Sequence, residues 1–356
     1  MRDHPGEQLL ILRPNTKVFV MKRRAFLQRT VRGSGVLFAG GLGLLSWAPR
    51  SVAATIQVAL GVHAGYAPMV DGTSAYMVTF SGGSSVEFPG PTIVCREDDL
   101  VSISIQNPLS INAVFHVGRT AIRHTVGAGS SVNFDFEAPP AGTYLYYDDQ
   151  NSGVNRSMGL HGTLVVMPAG SDNRSFSDGP TFVRQYKWLL ASVDPAWGEH
   201  LANSGVAAIG GIDPDSFSPR YFTINGRSFD QTDEPNTHIK GLVGDATLIR
   251  LLNAGGMVNS PHFHGNHVEI VSLNGSNSSG ARKKKDIVSM FPLDCRDVLL
   301  PMATPPDAWP PASGAQHFPM HCHAEMSQTA GGGFYPHGMH ASITIGEAPT
   351  SEPQLD

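Results

Sequence analysis

A chain of 356 residues that is 41% hydrophobic and 15% charged, with 39 Gly and 26 Pro, suits short turn-bounded strands better than long helices, and its length predicts two domains of ordinary size. The formal charge is −5, but residues 1 to 53 hold nine Lys/Arg and two Asp/Glu, so the remainder stands at −12, from 16 positive and 28 negative side chains. That balance argues against nucleic acid as a partner, because phosphate binding needs a basic footprint; the one basic run, Arg282 to Lys285, reads as a solvated loop.

From Met21, the expected start, the chain reads MKRRAFLQRTVRGSGVLFAGGLGLLSWAPRSVAA. Paired Arg23 and Arg24 precede Phe26-Leu27, a modest apolar stretch runs from Gly35 to Trp47, and Ser51-Val52-Ala53 offers small residues for cleavage. This is the pattern of a twin-arginine export signal over a 1–53 leader, and it predicts a periplasmic or secreted protein. The apolar stretch is too short and too Gly-rich to span a bilayer, so no stable membrane anchor is expected. Export of this kind carries proteins already folded, often with metal bound, which favours a metalloprotein without naming the metal.

Beyond the leader, β-branched and aromatic segments alternate with turn residues: Thr55 to Val62, Ala75 to Phe80, Leu100 to Gln106, Ser131 to Phe136, Thr143 to Tyr147 and Gly162 to Met167. The same style returns at Thr181 to Val193, Arg220 to Asn225, Ala246 to Leu252, His267 to Leu273, Ile287 to Phe291, Val298 to Leu300 and Ala341 to Ile345. The expectation is an all-β protein of two β-sandwich domains, 54–168 and 181–356, joined by a Pro/Gly/Ser/Asp-rich linker at 169–180 that has little to pack. Three cysteines, Cys95, Cys295 and Cys322, are too few for a disulfide scaffold and lack a zinc-type C-x-x-C; Cys95 and Cys295 are either bridged or two free buried thiols. Among 15 histidines, His262 and His264 form one H-x-H pair and His321 and His323 another, around Cys322. Residues two apart on a strand share a face, so each pair points one way and Cys322 the other.

Several phrases resemble landmarks of the multicopper oxidase family, in order across nearly the whole chain after the leader. They are Pro89-Gly90-Pro91-Thr92-Ile93 before Arg96-Glu97-Asp98-Asp99, Ala141-Gly142-Thr143-Tyr144-Leu145-Tyr146, Gly159-Leu160-His161-Gly162-Thr163-Leu164, Thr223-Ile224-Asn225-Gly226 and Arg250-Leu251-Leu252-Asn253-Ala254-Gly255. The most specific are Met320-His321-Cys322-His323 and Pro261-His262-Phe263-His264. The resemblance is to a two-domain, divergent bacterial branch. It implies two cupredoxin-like Greek-key sandwiches, copper as cofactor, and an oxidoreductase passing electrons through a copper on Cys322 to a second copper on His262, His264, His321 and His323. It also implies a small-molecule or metal-ion electron donor, dioxygen or another small oxidant as acceptor, and a homotrimer whose second site lies between subunits.

The departures from the family pattern fall mostly in the first half. Of its two expected H-x-H pairs, one leaves only His116, with Val114 in the partner position, and the other becomes Tyr147-Asp148-Asp149, so Asp149 stands as a candidate ligand or acid, or as a solvated turn residue. His124 and His161 fit no motif and read as structural, and His267 as ligand or supporting residue. Around Cys322 the two imidazoles that a trigonal copper–thiolate site requires are replaced by Asn259 and Ser327. The late segment offers His337 or His340 as substitutes, with Met339 or Met326 axial. Loss of half the cluster keeps a second function open, a copper-binding or electron-relay module without turnover.

Overall fold

The computed structural model describes residues 53–356 except 234, 278–281, 306–313 and 356, so the expected export signal lies outside the described residues. Among the described residues the first half forms β1 (Thr55–Pro68), β2 (Ser74–Ser81), β3 (Thr92–Arg96), β4 (Leu100–Asn107), β5 (Ala113–Val117), β6 (Arg123–Val126), β7 (Ser130–Glu137), β8 (Gly142–Tyr147) and β9 (His161–Met167). They make a four-stranded sheet ordered β2-β1-β4-β7 and a five-stranded sheet ordered β3-β9-β8-β5-β6. Alternation sets the facing: Val101, Ile103 and Ile105 of β4 are buried while Ser102 and Ser104 between them are not. Those residues, with Val62 and Phe80, meet Phe115, Tyr146 and Leu164 of the other sheet; Phe115 stacks on Tyr146 with ring centroids 4.9 Å apart.

The second half continues with β10 (Arg184–Val193), β11 (Tyr221–Ile224), β12 (Ile239–Gly241), β13 (Thr247–Asn253), β14 (Pro261–Phe263), β15 (Val268–Leu273), β16 (Ser276–Asn277), β17 (Lys284–Lys285), β18 (Cys295–Leu300), β19 (Gln316–Cys322) and β20 (His340–Ile345). One sheet runs β11-β10-β13-β18-β15-β16 with β17 also on β15; the other runs β12-β20-β19-β14. Their shared core holds Trp188, Ile249 and Leu251 from the first and Phe263, Met320, Cys322 and Ile343 from the second. Trp188 lies parallel to Phe263 at 5.7 Å and donates its indole N–H to Thr237 O at 3.0 Å, which anchors the short strand β14. The chain is thus all-β and built as two β-sandwiches.

The inner sheets of the two halves also pack on each other. Leu145 and Tyr147 meet Leu189, Leu252 and Cys295, and Val165 and Met167 meet Phe182 and Leu248. Strands β8, β9 and β13 are consequently buried on both faces, and they read as nearly unbroken apolar runs for that reason. Helix α1 (Pro195–Ser204) closes over β2; Asp194 caps it by accepting the N–H of Ala196, and Gly198 lies so close that a β-carbon there would stand 2.4 Å from the Tyr76 carbonyl oxygen.

Two expectations differ from the structure. The 169–180 stretch does find something to pack against: Phe176 is buried with Ala141 and Val271, and Arg96 donates to the carbonyls of Pro168 and Ser171. Ile287 to Phe291 forms isolated bridges, His262 to Ile287 and Asn259 to Met290, in place of a strand. All three cysteines are free buried thiols, so Cys95 and Cys295 are not bridged.

Candidate metal centre

Register brings the late histidines together. β14 pairs antiparallel with β19 so that His262 faces His321 and Pro261 faces Cys322, and β20 adds His340 opposite His321. Directly opposed residues share a sheet face, so His262, His321 and His340 make one lateral row while Met320 and Cys322 turn into the core, 0% and 1% exposed. His264 and His323 extend past the ends of their strands on the imidazole side.

The four rings are close. The ligand atoms of His262, His321 and His323 lie within 4.8 Å of one another, the one group of three or more His, Cys, Asp or Glu able to hold a metal among the described residues. His264 Nε2 is 3.1 Å from His321 Nε2, and the His262 centroid is 4.4 Å from that of His264 and 4.8 Å from that of His323. Donors ~2 Å from one ion stand at most ~4 Å apart, so small side-chain rotations suffice to close the set. Burial, and then the neighbouring imidazoles, lower the proton affinity of His262; burial does the same for His321, against the pull of its bond to the Cys322 carbonyl. Both rings are therefore neutral at neutral pH, as ligation requires. His262 Nδ1 is buried with no hydrogen-bond partner. Four convergent imidazoles, one with an orphaned ring nitrogen, fit a borderline metal ion.

Three further groups border this face. Tyr335 sets its ring edge-on to His321 at 5.6 Å, Asp286 places Oδ2 3.8 Å from His262 Nε2, and His340 lies beside His321. Sequence reading missed Tyr335 and Asp286, because neither belongs to a motif. A signal for His340 existed in its alternation with the buried β20 residues Ala341, Ile343 and Ile345, but the register with β19 was needed to use it. His267 is exposed at the rim.

The first-half candidates gather elsewhere. Arg123, His116, Tyr147 and His161 form a lateral row across β6, β5, β8 and β9. His116 Nδ1 stands 3.1 Å from Asp149 Oδ2 without hydrogen-bond alignment, and Arg123 grips both oxygens of Asp149 at 2.9 and 2.8 Å. That guanidinium holds the Asp149 carboxyl below the usual range, so it stands as a carboxylate and not as a proton donor at neutral pH. Neither His116 nor Asp149 belongs to the imidazole group of the same chain. His124 stacks on Phe134 at 3.8 Å.

His161 is fully buried, with Nδ1 against Arg156 O at 2.8 Å and Nε2 unpartnered. Burial pushes its pKa from 6.5 down to about 4. The folded chain thus keeps it neutral where the unfolded chain protonates it, so its contribution is complete above pH 6.5 and lost as pH falls through 4. The loss should approach about 3 kcal/mol. Unfolding free energies at about pH 7 and about pH 4.5 should differ less in His161→Asn than in the wild type; equal differences would exclude this imidazole as the cause.

The imidazoles expected to substitute around Cys322 have other partners. His337 packs on Phe229 with centroids 4.7 Å apart, and His340 lies across from His321, on the face away from the thiol. Met326 is 55% exposed, whereas Met339 is buried in the same core as Cys322, its carbonyl accepting the Cys322 N–H at 3.1 Å.

Residues 62–171 match the family model described as multicopper oxidase. The chain is 30% identical over 108 residues to an L-ascorbate oxidase of Cucumis sativus, covering 26% of this chain and 18% of that one. It is 31% identical over 108 residues to a copper-containing nitrite reductase of Alcaligenes xylosoxydans xylosoxydans, covering 28% and 32%. The matches thus span less than a third of each of these two relatives' length. Among solved structures, the blue copper oxidase from Nitrosomonas europaea superimposes with a TM-score of 0.66 at 23% identity, over 82% of this chain and 86% of that one. Residues 62–171 are therefore similar to a multicopper oxidase domain, and the chain shares the fold of a solved copper oxidase.

Proposed function

We propose that the chain is an exported copper-dependent oxidoreductase whose metal is held by His262, His264, His321 and His323. The observation that carries this reading is the convergence of those imidazoles on one sheet face. Copper is favoured by the nitrogen donor set, by the family, and by relatives that include a copper-containing nitrite reductase. Bound there, copper would supply one-electron chemistry between a donor and an oxidant. The chain's own part is to hold the imidazoles close to one another on one face, while Phe263, Met320 and Ile343 keep the core side of the strands dry. The paired arginines of the leader support export, and the donor is a small molecule or metal ion with dioxygen or another small oxidant as acceptor. A homotrimer, the assembly the resemblance implies, would set the first half of one copy against the imidazole face of the next.

The experiment is a copper count on purified protein, followed by oxygen or nitrite consumption with phenols, ferrous ion or a dye as donor. Copper uptake with consumption, both lost in His264→Ala, is the expected result. Protein that holds no copper after dialysis would refute the proposal. Copper without turnover would favour the second reading, a binding or relay module, to which the single surviving first-half imidazole, His116, points.

A further inference from the structure

The thiol behind the imidazole face has surroundings of its own, and they decide what it can bind. Cys322 Sγ receives the N–H of Ser260 at 3.0 Å, and the thiol points to Asn259 Oδ1 at 3.8 Å. Asn259 is fully buried and fixed: its Nδ2 donates to Asn253 Oδ1 at 3.0 Å, and its backbone exchanges hydrogen bonds with Met290 at 3.0 and 2.8 Å. Ser327 is also fully buried, its hydroxyl donating to Ala324 O at 2.6 Å. Among the described residues no imidazole is a hydrogen-bond partner of Sγ; the His337 ring packs on Phe229, and His340 pairs with His321 on the opposite sheet face.

A trigonal copper–thiolate site takes two imidazoles beside the sulfur. Beside the thiol stands an amide, already bonded to Asn253, with Met339 as a thioether in the same core, and the Ser327 hydroxyl is engaged by Ala324 O. The donor set does not fit. We infer that Cys322 is not a copper ligand in this chain: the H-C-H triplet keeps its imidazoles for metal and gives its thiol a structural task, receiving Ser260 N–H where β14 begins. The metal complement is then a single all-imidazole centre. The count of one rests on the function proposed above; the assignment of the thiol does not.

The test titrates the whole exported protein with cupric ion and follows visible absorption, electron paramagnetic resonance and copper per chain. The expected result is one copper per chain without an intense thiolate-to-copper band, and a Cys322→Ser variant with the same copper content and spectrum. A strong visible band in the wild type that vanishes in Cys322→Ser would overturn the inference, as would a second copper lost with the thiol. Should Cys322→Ser fail to fold, the wild-type spectrum decides alone. The converse variant, Asn259→His with Ser327→His, restores the missing donors and should gain the band. No copper uptake at all would defeat the proposed function while leaving the thiol uncoordinated, so the two failures are told apart.

Discussion

Replacing His321 and His323 together by alanine should weaken copper binding by at least about a hundredfold, since loss of mere supporting residues around a metal already costs about 10- to 100-fold. His321 on β19 and His323 just past its end lie on the side opposite Met320 and Cys322, so truncating them removes two of four donors without opening the core. His262 and His264 would remain 4.4 Å apart by ring centroid, too few to hold the ion at that strength. His317→Ala is the control: it lies on β19 with the same parity, but its Nδ1 faces Thr344 Oγ1 at 3.1 Å. Equilibrium titration with a competing chelator should show the double variant weak and the control unchanged. Equal affinities in all three would remove the centre from this face.

What the sequence made legible here depended on local periodicity. Two H-x-H pairs must each share a strand face, so the side on which His262, His264, His321 and His323 project was readable before any fold was known. The pairing of β14 with β19 was not, because nothing local sets a register between segments about sixty residues apart. The same limit hid Tyr335, Asp286 and the true side of His340, and it made His337 and His340 look available to Cys322. Strand β5 was missed for another reason: Ala113–Val117 is buried at Ala113, Val114, Phe115 and Val117, so it shows no alternation. Helix α1 did carry a signal, Asp194 followed by Pro195, an N-cap before proline at the first helical position. The packing of Phe176 was hidden because composition reports the polarity of a connector and not what passes over it.

The second large effect should come from the junction of the two halves. Arg250 on β13 and Asp297 on β18 are both 0% exposed, with Nη1 3.5 Å from Oδ2. Thr143, from β8 of the other half, donates its hydroxyl to Asp297 Oδ1 at 2.6 Å and accepts from Arg250 Nη1 at 2.9 Å. Burial lowers the proton affinity of Arg250, and Asp297 restores part of it. Asp297→Ala would leave a guanidinium in the interior with Thr143, Gln185 and the Met167 sulfur as its remaining hydrogen-bond partners among the described residues. Breaking one side of a buried pair costs about 3–5 kcal/mol, which in a chain of this size lowers the melting temperature by on the order of 10 °C. Arg250→Met with Asp297→Leu removes both charges and should recover most of that loss, because the attraction of a buried pair is largely offset by its desolvation. The effect should also reach the metal face. β13 ends at Asn253, whose side chain donates to Met257 O and Met290 O at 2.9 and 3.1 Å and accepts from Asn259 Nδ2, fixing the segment that leads into β14. Asp297→Ala should therefore bind copper more weakly at temperatures below its melt, and the double apolar variant should not. A melting temperature for Asp297→Ala equal to the wild type would show that the guanidinium finds water or another partner, and that the junction does not depend on the pair.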